Sequence, residues 1–497
     1  MQRAQSLTVG LMIMVGAVAT APAAPASRPI SMEECLKLAL EHNFDIRISR
    51  LGPRVAQLNL DNAYAPYDPT VNSSFSYSYN SSPTGVDAQG RPYTSTVNTS
   101  DTFANYVSGQ GPLGLTYRTG LQMSDTVTTR SLVTPFEISS AFAGVSLTQP
   151  LMKNFWIDNN RLSIALRRRD LKSSEQDLRL TVISIVSSVQ SAYYKLIALQ
   201  DSVKVAQQAL ELAEQQLRED NKRVQVGSLA PLDAQKTESQ VATMRGNLLS
   251  ALAAAATGQR DLKRLISDRY DDWKNFDLQP TEKLSKAPPV LNLQDSWSKA
   301  LTLRPELIKT RLDLERRNIT LRYNKNQLYP ELDLTGSFGY SGSGNEFSDA
   351  LGGINSQRDA SYSFGAQLTF PLSRREVRTN YRLARENVEQ ALLVLKQLEQ
   401  KVMIDTEDAL GAANTAFLQI KEREIAVVTA EAALHAERKK QENGRSTNRE
   451  VLIAQNELTT RRYDLIFALV SYNAALVTVA QYEGTTLERN GIRLEVR

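Results

Sequence analysis

The sequence contains one cysteine and two histidines in 497 residues. A lone thiol, Cys35, cannot close an intrachain disulfide, and two histidines without neighbouring cysteines cannot build a structural zinc site. Neither sign of charge dominates. Fifty-eight Lys and Arg against 54 Asp and Glu leave a net charge of +4, a balance unlike that of a dedicated nucleic-acid binder. There is no Gly-rich phosphate loop, no metal-ligand spacing and no nucleophile elbow, and His42 and His435 stand far apart in helical stretches. The expectation is therefore no catalytic, cofactor or metal residues and no enzyme. After the N-terminal segment, no uninterrupted apolar run reaches the ~20 residues of a transmembrane helix. A chain of this kind can cross a membrane only as strands closed into a barrel.

The N-terminal segment has a basic residue (Arg3), an apolar run from Leu7 to Ala19, and small residues up to Ala26. That pattern predicts a signal peptide over residues 1–26. Cys35 reads as an ordinary buried residue of the first helix, not a lipidated one.

Proline and glycine are missing from two very long stretches. Neither occurs from Asn159 to Val226, and only Gly411 interrupts Arg375 to Asn443. Each run, taken as helix, is roughly 100 Å long at about 1.5 Å per residue, longer than a single soluble domain uses. Val182, Val186, Val189, Tyr193 and Leu196 step by four and three, and Met403, Leu410 and Phe417 by sevens. Sustained heptads require partner helices.

What is present is present twice. Val226-Gly227-Ser228-Leu229-Ala230-Pro231-Leu232-Asp233 ends the first long stretch, and Asn443-Gly444-Arg445-Ser446-Thr447-Asn448-Arg449-Glu450 ends the second. Each has a carboxylate six residues after its glycine, and a helix resumes in each. Gln149-Pro150-Leu151 corresponds to Phe370-Pro371-Leu372, and Ala63-Tyr64-Ala65-Pro66 to Gln327-Leu328-Tyr329-Pro330. A repeated supersecondary unit implies stacking of like on like. The predicted fold is mixed α and β. A first repeat spans 27–270, with strands at 70–149 and a tip at Gly227. A connecting segment over 271–293 is expected to lie across the outside of the helices. A second repeat spans 294–484, with strands at 331–370 and a tip at Gly444, and a tail follows at 485–497. A short helix opens each half, about Met32 to Ala63 and Leu293 to Leu328. Each glycine lets a helix reverse through a left-handed residue.

The strand regions alternate with period two: Phe75, Tyr77 and Tyr79 against Ser74, Ser76 and Ser78, and Phe364, Ala366 and Leu368 against Gly365 and Gln367. Such alternation fits an outer-membrane barrel strand and equally a half-buried soluble sheet. Polar stretches at about Asn80–Asp101, Ser124–Ser140 and Ser341–Ser361 read as loops. The basic clusters Arg167–Arg169 and Arg374, Arg375 and Arg378 lie just past the proline corners. They suit anionic headgroups or a solvated helix face.

Taken together, the proline corners Pro150 and Pro371, the two glycine tips and Tyr329-Pro330 resemble the TolC-like outer-membrane efflux proteins over nearly the whole mature chain. The resemblance implies a homotrimer in which three chains share one outer-membrane β-barrel, continued by a periplasmic α-helical coiled-coil barrel, in a Gram-negative cell. It implies a passive export channel for small molecules or proteins, serving a tripartite efflux pump or a type I secretion system. Its partners would be a periplasmic adaptor, indirectly an inner-membrane transporter, and outer-membrane lipid, with no nucleic acid and no cofactor. The adaptor-docking tips carried over by position are Val226, Gly227, Ser228 and Leu229, with Gly444, Arg445 and Ser446. The periplasmic gate carried over is Glu450, with Ile453 where the family has a second carboxylate, and Asp233 on the first hairpin. The basic residue that would lock to Asp233 falls on Ser446, beside Arg445. A helix-dipole role for Glu450 near the start of its helix is compatible with the gate. The alternative is a periplasmic coiled-coil adaptor, which should carry one helical hairpin inserted in β domains.

Overall fold

The computed structural model describes residues 26–493 except 84, 87, 94, 131, 132, 291 and 358. All but the last residue of the expected signal peptide lies outside the described residues. Along the chain run β1 (Ala26–Ile30), α1 (Met32–His42), α2 (Phe44–Asn62), β2 (Thr70–Ser82), β3 (Gly85–Val86), β4 (Pro92–Tyr93), β5 (Thr96–Gln110), β6 (Thr116–Arg130), β7 (Val133–Pro150), α3 (Asn159–Gln225), α4 (Pro231–Ile266) and α5 (Tyr270–Trp273). They are followed by β8 (Phe276–Pro280), α6 (Leu293–Leu303), α7 (Pro305–Asn326), β9 (Glu331–Gly344), α8 (Phe347–Asn355), β10 (Ala360–Thr369), α9 (Arg375–Glu442), α10 (Asn448–Glu483) and α11 (Thr486–Arg489).

The two stretches without helix breakers form single helices, α3 of 67 residues and α9 of 68. Both α3 and α10 contain an 18-residue window apolar enough to cross a bilayer by composition, with mean hydropathy 1.3 and 1.5. These windows were not apparent as continuous apolar runs because polar residues interrupt them. In α3, 56% of the window is buried within the fold, as a packing seam requires. The short helix expected at the start of each half is two helices. Arg304 is extended because it precedes Pro305, whose ring excludes the helical conformation there. Asn43 is extended at the end of α1, and its side-chain Nδ2 donates to the Leu265 carbonyl at 3.0 Å.

The described residues divide into two compact units. One comprises Phe44–Ser187, Pro288–Phe417 and the residues from Ala475 onward. It contains a six-stranded antiparallel sheet in the order β10-β9-β7-β6-β5-β2. Four strands come from the first half of the chain and two from the second. The register sorts side chains cleanly. Phe75 faces Phe103, which faces Met123. Ala143 faces Leu121 and Tyr340, and Phe338 faces Tyr362. That face is apolar yet exposed, with Phe75 at 70% and Tyr362 at 80%. The opposite face carries Asn72, Ser74, Thr102, Gln122, Ser124, Ser140 and Ser337 in the same register.

Two of the polar stretches expected as loops are largely strand. Thr96–Asp101 belongs to β5, and Ser124–Arg130 and Val133–Ser140 to β6 and β7. Their side chains pair across the ladder. Thr128 Oγ1 donates to Asn98 Oδ1 at 2.9 Å, and Ser139 Oγ to Asp125 Oδ1 at 2.7 Å. These ends mix the two faces, with Phe136 and Ile138 in the polar-face register opposite Thr128 and Thr126 and with Asp101 and Asp125 on the other face, so alternation does not mark them. The third stretch, 341–361, contains α8, whose Ala350 is fully buried.

Pro150 ends β7, and Leu151 and Lys153 then donate their N–H groups to Leu332 and Pro330 carbonyls beside β9. Pro371 stands four residues before α9. Below these corners Arg168 donates to Tyr64 Oη at 2.6 Å, and Arg169 pairs with Glu315 at 2.7 Å. Arg167 pairs with Asp170 at 3.4 Å, so all three arginines of that cluster are engaged within the fold. The helices of this unit pack Ala300 and Leu307 on Leu395 and Val402, while Phe44, Ile48, Leu51, Val55 and Leu58 form a four–three stripe on α2, each residue more than half exposed.

The other unit comprises the described residues up to Asn43, Ser188–Ala287 and Leu418–Ala474. Here β1 and β8 pair in parallel. The connecting segment was expected to lie across the outside. Most of its described residues are exposed, and Leu278 of β8 enters a core where Ile30, Leu196, Leu262, Ile266 and Leu278 are fully shielded. The apolar Leu278 draws the strand inward. Tyr193 Oη donates to the Ile30 carbonyl at 3.1 Å. Burial pushes the Cys35 thiol up to about 12, which leaves it a small apolar filler. Truncating Leu262 to Ala should cost about 3 kcal/mol, read as a lowered unfolding temperature of the detergent-solubilised protein. An unchanged temperature would show that this core does not limit stability.

Candidate functional site at the hairpin tips

The unit just described contains both helix reversals. At the first, Gly227 sits at φ +78 and Gly444 at φ +69 at the second. Space is not the reason for glycine, since an added Cβ would meet nothing within 4 Å at either position. The left-handed backbone is the reason. The closing bonds are the same in both turns. Gly227 N–H donates to Val224 O at 3.0 Å and Ser228 N–H to Arg223 O at 2.8 Å. Gly444 N–H donates to Gln441 O at 3.0 Å and Arg445 N–H to Lys440 O at 2.8 Å. These pairs satisfy carbonyls that a helix end otherwise leaves open.

The tip side chains face outward. Val226 is 78% exposed, Gly227, Ser228, Gly444 and Arg445 are exposed, and Leu229 and Ser446 are half-buried. Ser228 Oγ donates back to the Arg223 carbonyl at 3.0 Å. Ser446 Oγ donates to Glu437 Oε2 at 2.7 Å. That bond and the neighbouring Lys440 ammonium, Lys440 foremost, hold the Glu437 carboxyl below the usual range.

Within one chain the gate residues are not brought together. Asp233 accepts from Lys236 on its own helix at 3.0 Å, so it meets neither Ser446 nor Arg445. Glu450 is exposed in the first turn of α10, its N–H capped by Thr447. Ile453 is 49% exposed on the same helix.

What joins the two hairpins instead is a buried polar knot. Asp220, near the end of α3, is fully buried and has no cation within salt-bridge distance among the described residues. Its carboxylate accepts from Gln216 Nε2 at 2.9 Å, Thr237 Oγ1 at 2.6 Å and Asn448 Nδ2 at 2.8 Å. Asn448 begins α10 and also accepts from Gln216 at 3.2 Å. Three helices, α3, α4 and α10, therefore meet on one carboxylate. Apolar seams continue from the knot along each hairpin. Ala209 and Ala213 pack on Val241 and Met244 in the first, and Ala430 and Leu434 on Val451 and Leu458 in the second. A buried polar group in an apolar helical seam fixes register, because a shifted alignment leaves it unsatisfied.

Sequence reading did not assign a role to Gln216, Asp220 or Asn448. The signal was there in part: Ala206, Ala209, Ala213, Gln216 and Asp220 step by three and four along one buried face of α3. Replacing Asp220 with Ala removes the acceptor shared by three donors, leaves each one alternative partner in a dry site, and should cost about 2 kcal/mol. Hydrogen exchange should speed up around 216–237 and 448. Unchanged exchange there would remove the knot from the tip architecture.

The sequence profile of the family described as outer membrane efflux protein matches residues 111–267 and 297–485. Outer membrane protein TolC of Escherichia coli (strain K12) is 22% identical over 316 residues, 63% of each chain. The pyoverdine export outer membrane protein OpmQ of Pseudomonas aeruginosa is 24% identical over 324 residues, 65% of each. Both alignments span a little less than two thirds of the relative. The crystal structure of the Campylobacter jejuni CmeC outer membrane channel superposes with a TM-score of 0.66 at 17% identity, over 92% of this chain and 86% of that one. The fold is thus the one seen in that outer-membrane channel, and the profile match extends over both halves of the duplicated sequence. The chain belongs to the outer membrane efflux protein family.

Proposed function

We propose that three copies of this chain form a passive export duct through the outer membrane of a Gram-negative cell. The observation that carries this is the sheet. It has an exposed apolar face, a polar face, and two edge strands, β2 and β10, each with a single neighbour. In lipid every backbone group needs a partner, so an open sheet is excluded and a closed barrel is the remaining solution. Three sheets of six strands make an eighteen-stranded barrel, a size that leaves an aqueous lumen. Each apolar run, such as Leu332 to Tyr340, is ~25 Å along the strand, near the height of a barrel's lipid-facing band. The exposed stripe on α2 supports assembly in the same way, since a heptad stripe needs a partner helix.

In this reading the repeats 27–270 and 294–484 each contribute strands before the corners Pro150 and Pro371 and a helical hairpin after them. The segment 271–293 connects the two repeats, and 485–497 follows the second. The tips at Val226–Leu229 and Gly444–Ser446 form the periplasmic entrance and dock a periplasmic adaptor, which links the duct to an inner-membrane transporter. Three Glu450 carboxylates, ringed by Ile453 and flanked by Asp233, narrow that entrance and favour cations there. Chemistry is left to the pump, as suits a family of channels. The adaptor alternative gains no support, because the chain has two hairpins and a sheet apolar on its exposed face. OpmQ is named for pyoverdine export. By analogy the cargo is a solute brought to the entrance by the pump.

Planar bilayers test this. The purified protein should give discrete conductance steps, and Glu450→Ala should raise the step size and reduce cation preference. No conductance in either protein would contradict the duct. Unchanged steps and selectivity in Glu450→Ala would remove Glu450 from the gate.

A further inference from the structure

The polar face of the sheet carries a group that an inert water-filled wall does not require. Tyr106 and Phe142 stand on it among Ser, Thr, Asn and Gly. Tyr106 faces Gly120, which faces Gly144, which faces Gly339. A Cβ on Gly120 would lie 2.5 Å from Tyr106 Cα, and one on Gly144 or Gly339 would lie 2.7 Å from Phe142 Cζ. Gly144 and Gly339 therefore let the Phe142 ring lie against the sheet, while at Gly120 a Cβ would meet the Tyr106 backbone, a joint that strengthens a barrel whatever passes through it.

Arg118 is not explained by that joint. Its guanidinium carbon lies 3.5 Å from the Tyr106 ring centroid. The side chain is exposed on the polar face and has no carboxylate within salt-bridge distance among the described residues. Of the carboxylates on this face, Glu331 is paired with Lys153 at 3.0 Å. Asp333 faces Pro150 and Gln367, two polar-face positions beyond the Ser337–Ser146–Arg118 row. Asp68, two residues before β2, lines a separate hollow together with Arg118 but does not come within salt-bridge distance, so the guanidinium has no ion pair among the described residues. A guanidinium over a ring face keeps its N–H edge free to meet an oxyanion. Arg118, Tyr106, Gln122 and Phe142 surround a hollow of about 150 Å³ floored by Gly120 and Gly144.

We propose that this hollow is a binding site for aromatic anions on the channel wall. A carboxylate, sulfonate or phosphate would take the Arg118 fork, and the ring that carries it would lie over Gly120 beside Phe142. The fork matches a planar or tetrahedral oxyanion with two parallel N–H bonds, and the rings supply the apolar surface that small hydroxyl side chains cannot. Three copies place three such sites in one lumen. The inference rests on the reading of the polar face as a channel wall.

The test adds 1,3,6,8-pyrenetetrasulfonate to single channels from the side of the strand hairpins, away from the helical tips. Wild type should show dose-dependent current block, and pyrenemethanol, a neutral aromatic, should show none. Arg118→Ala should weaken block at least tenfold with conductance retained. Arg118→Lys, which keeps the charge but not the fork, should fall between. Equal block in wild type and Arg118→Ala, or no block in either on conducting channels, overturns the site while leaving the duct intact. Absence of wild-type current overturns the duct and the site with it.

Discussion

A sheet with two open edges and an exposed apolar face has no stable solvent as a single copy. In water the face carries Phe75, Phe364 and Tyr362, all exposed by 70% or more. In lipid the backbone N–H and C=O groups along the open sides of β2 and β10 would go unmet, at a cost of several kcal/mol each. The proposed closure with further copies would satisfy both demands at once. The rest of the chain answers to that requirement. The proline corners let a strand end and a helix begin, and the exposed α2 stripe marks a helical surface that also lacks its neighbour.

The hairpin unit has a different logic. Its seams are made of small and medium side chains, Ala209, Ala213 and Ala430 against Val241, Met244 and Leu458, which hold helices close without specifying alignment. Specification falls to the polar groups. Asp220 accepts from two other helices, so α4 and α10 are referenced to one atom group on α3. The glycine turns above it fix where each hairpin reverses. Surface ion pairs such as Arg423–Asp464 at 3.1 Å add little by comparison, because water screens them.

Much of this was legible in the sequence, for local physical reasons. Long helices show as the absence of Pro and Gly between Asn159 and Val226. The tips show because only glycine takes φ near +70 without strain, and the corner at Pro371 because proline ends a ladder. Strands with aromatic–small alternation, such as β2 and β10, declare themselves. β5 does not: Asp101 and Asn105 interrupt its apolar face, and its outer residues are polar on both sides. The β1–β8 pairing joins positions about 250 residues apart, and five residues carry no register signal of their own. The Asp220 knot was hidden for the same reason, since its partners lie on three helices. Arg118 reads as an ordinary polar-face residue until the register sets it beside Tyr106 and the glycine row.

The number of chains in the detergent-extracted particle tests the central claim most directly. Native mass spectrometry of protein released from outer membranes should give three copies and nothing smaller that persists after detergent removal. A single copy that stays folded and soluble without detergent would contradict the account, because the open sheet would then have found a way to satisfy itself alone.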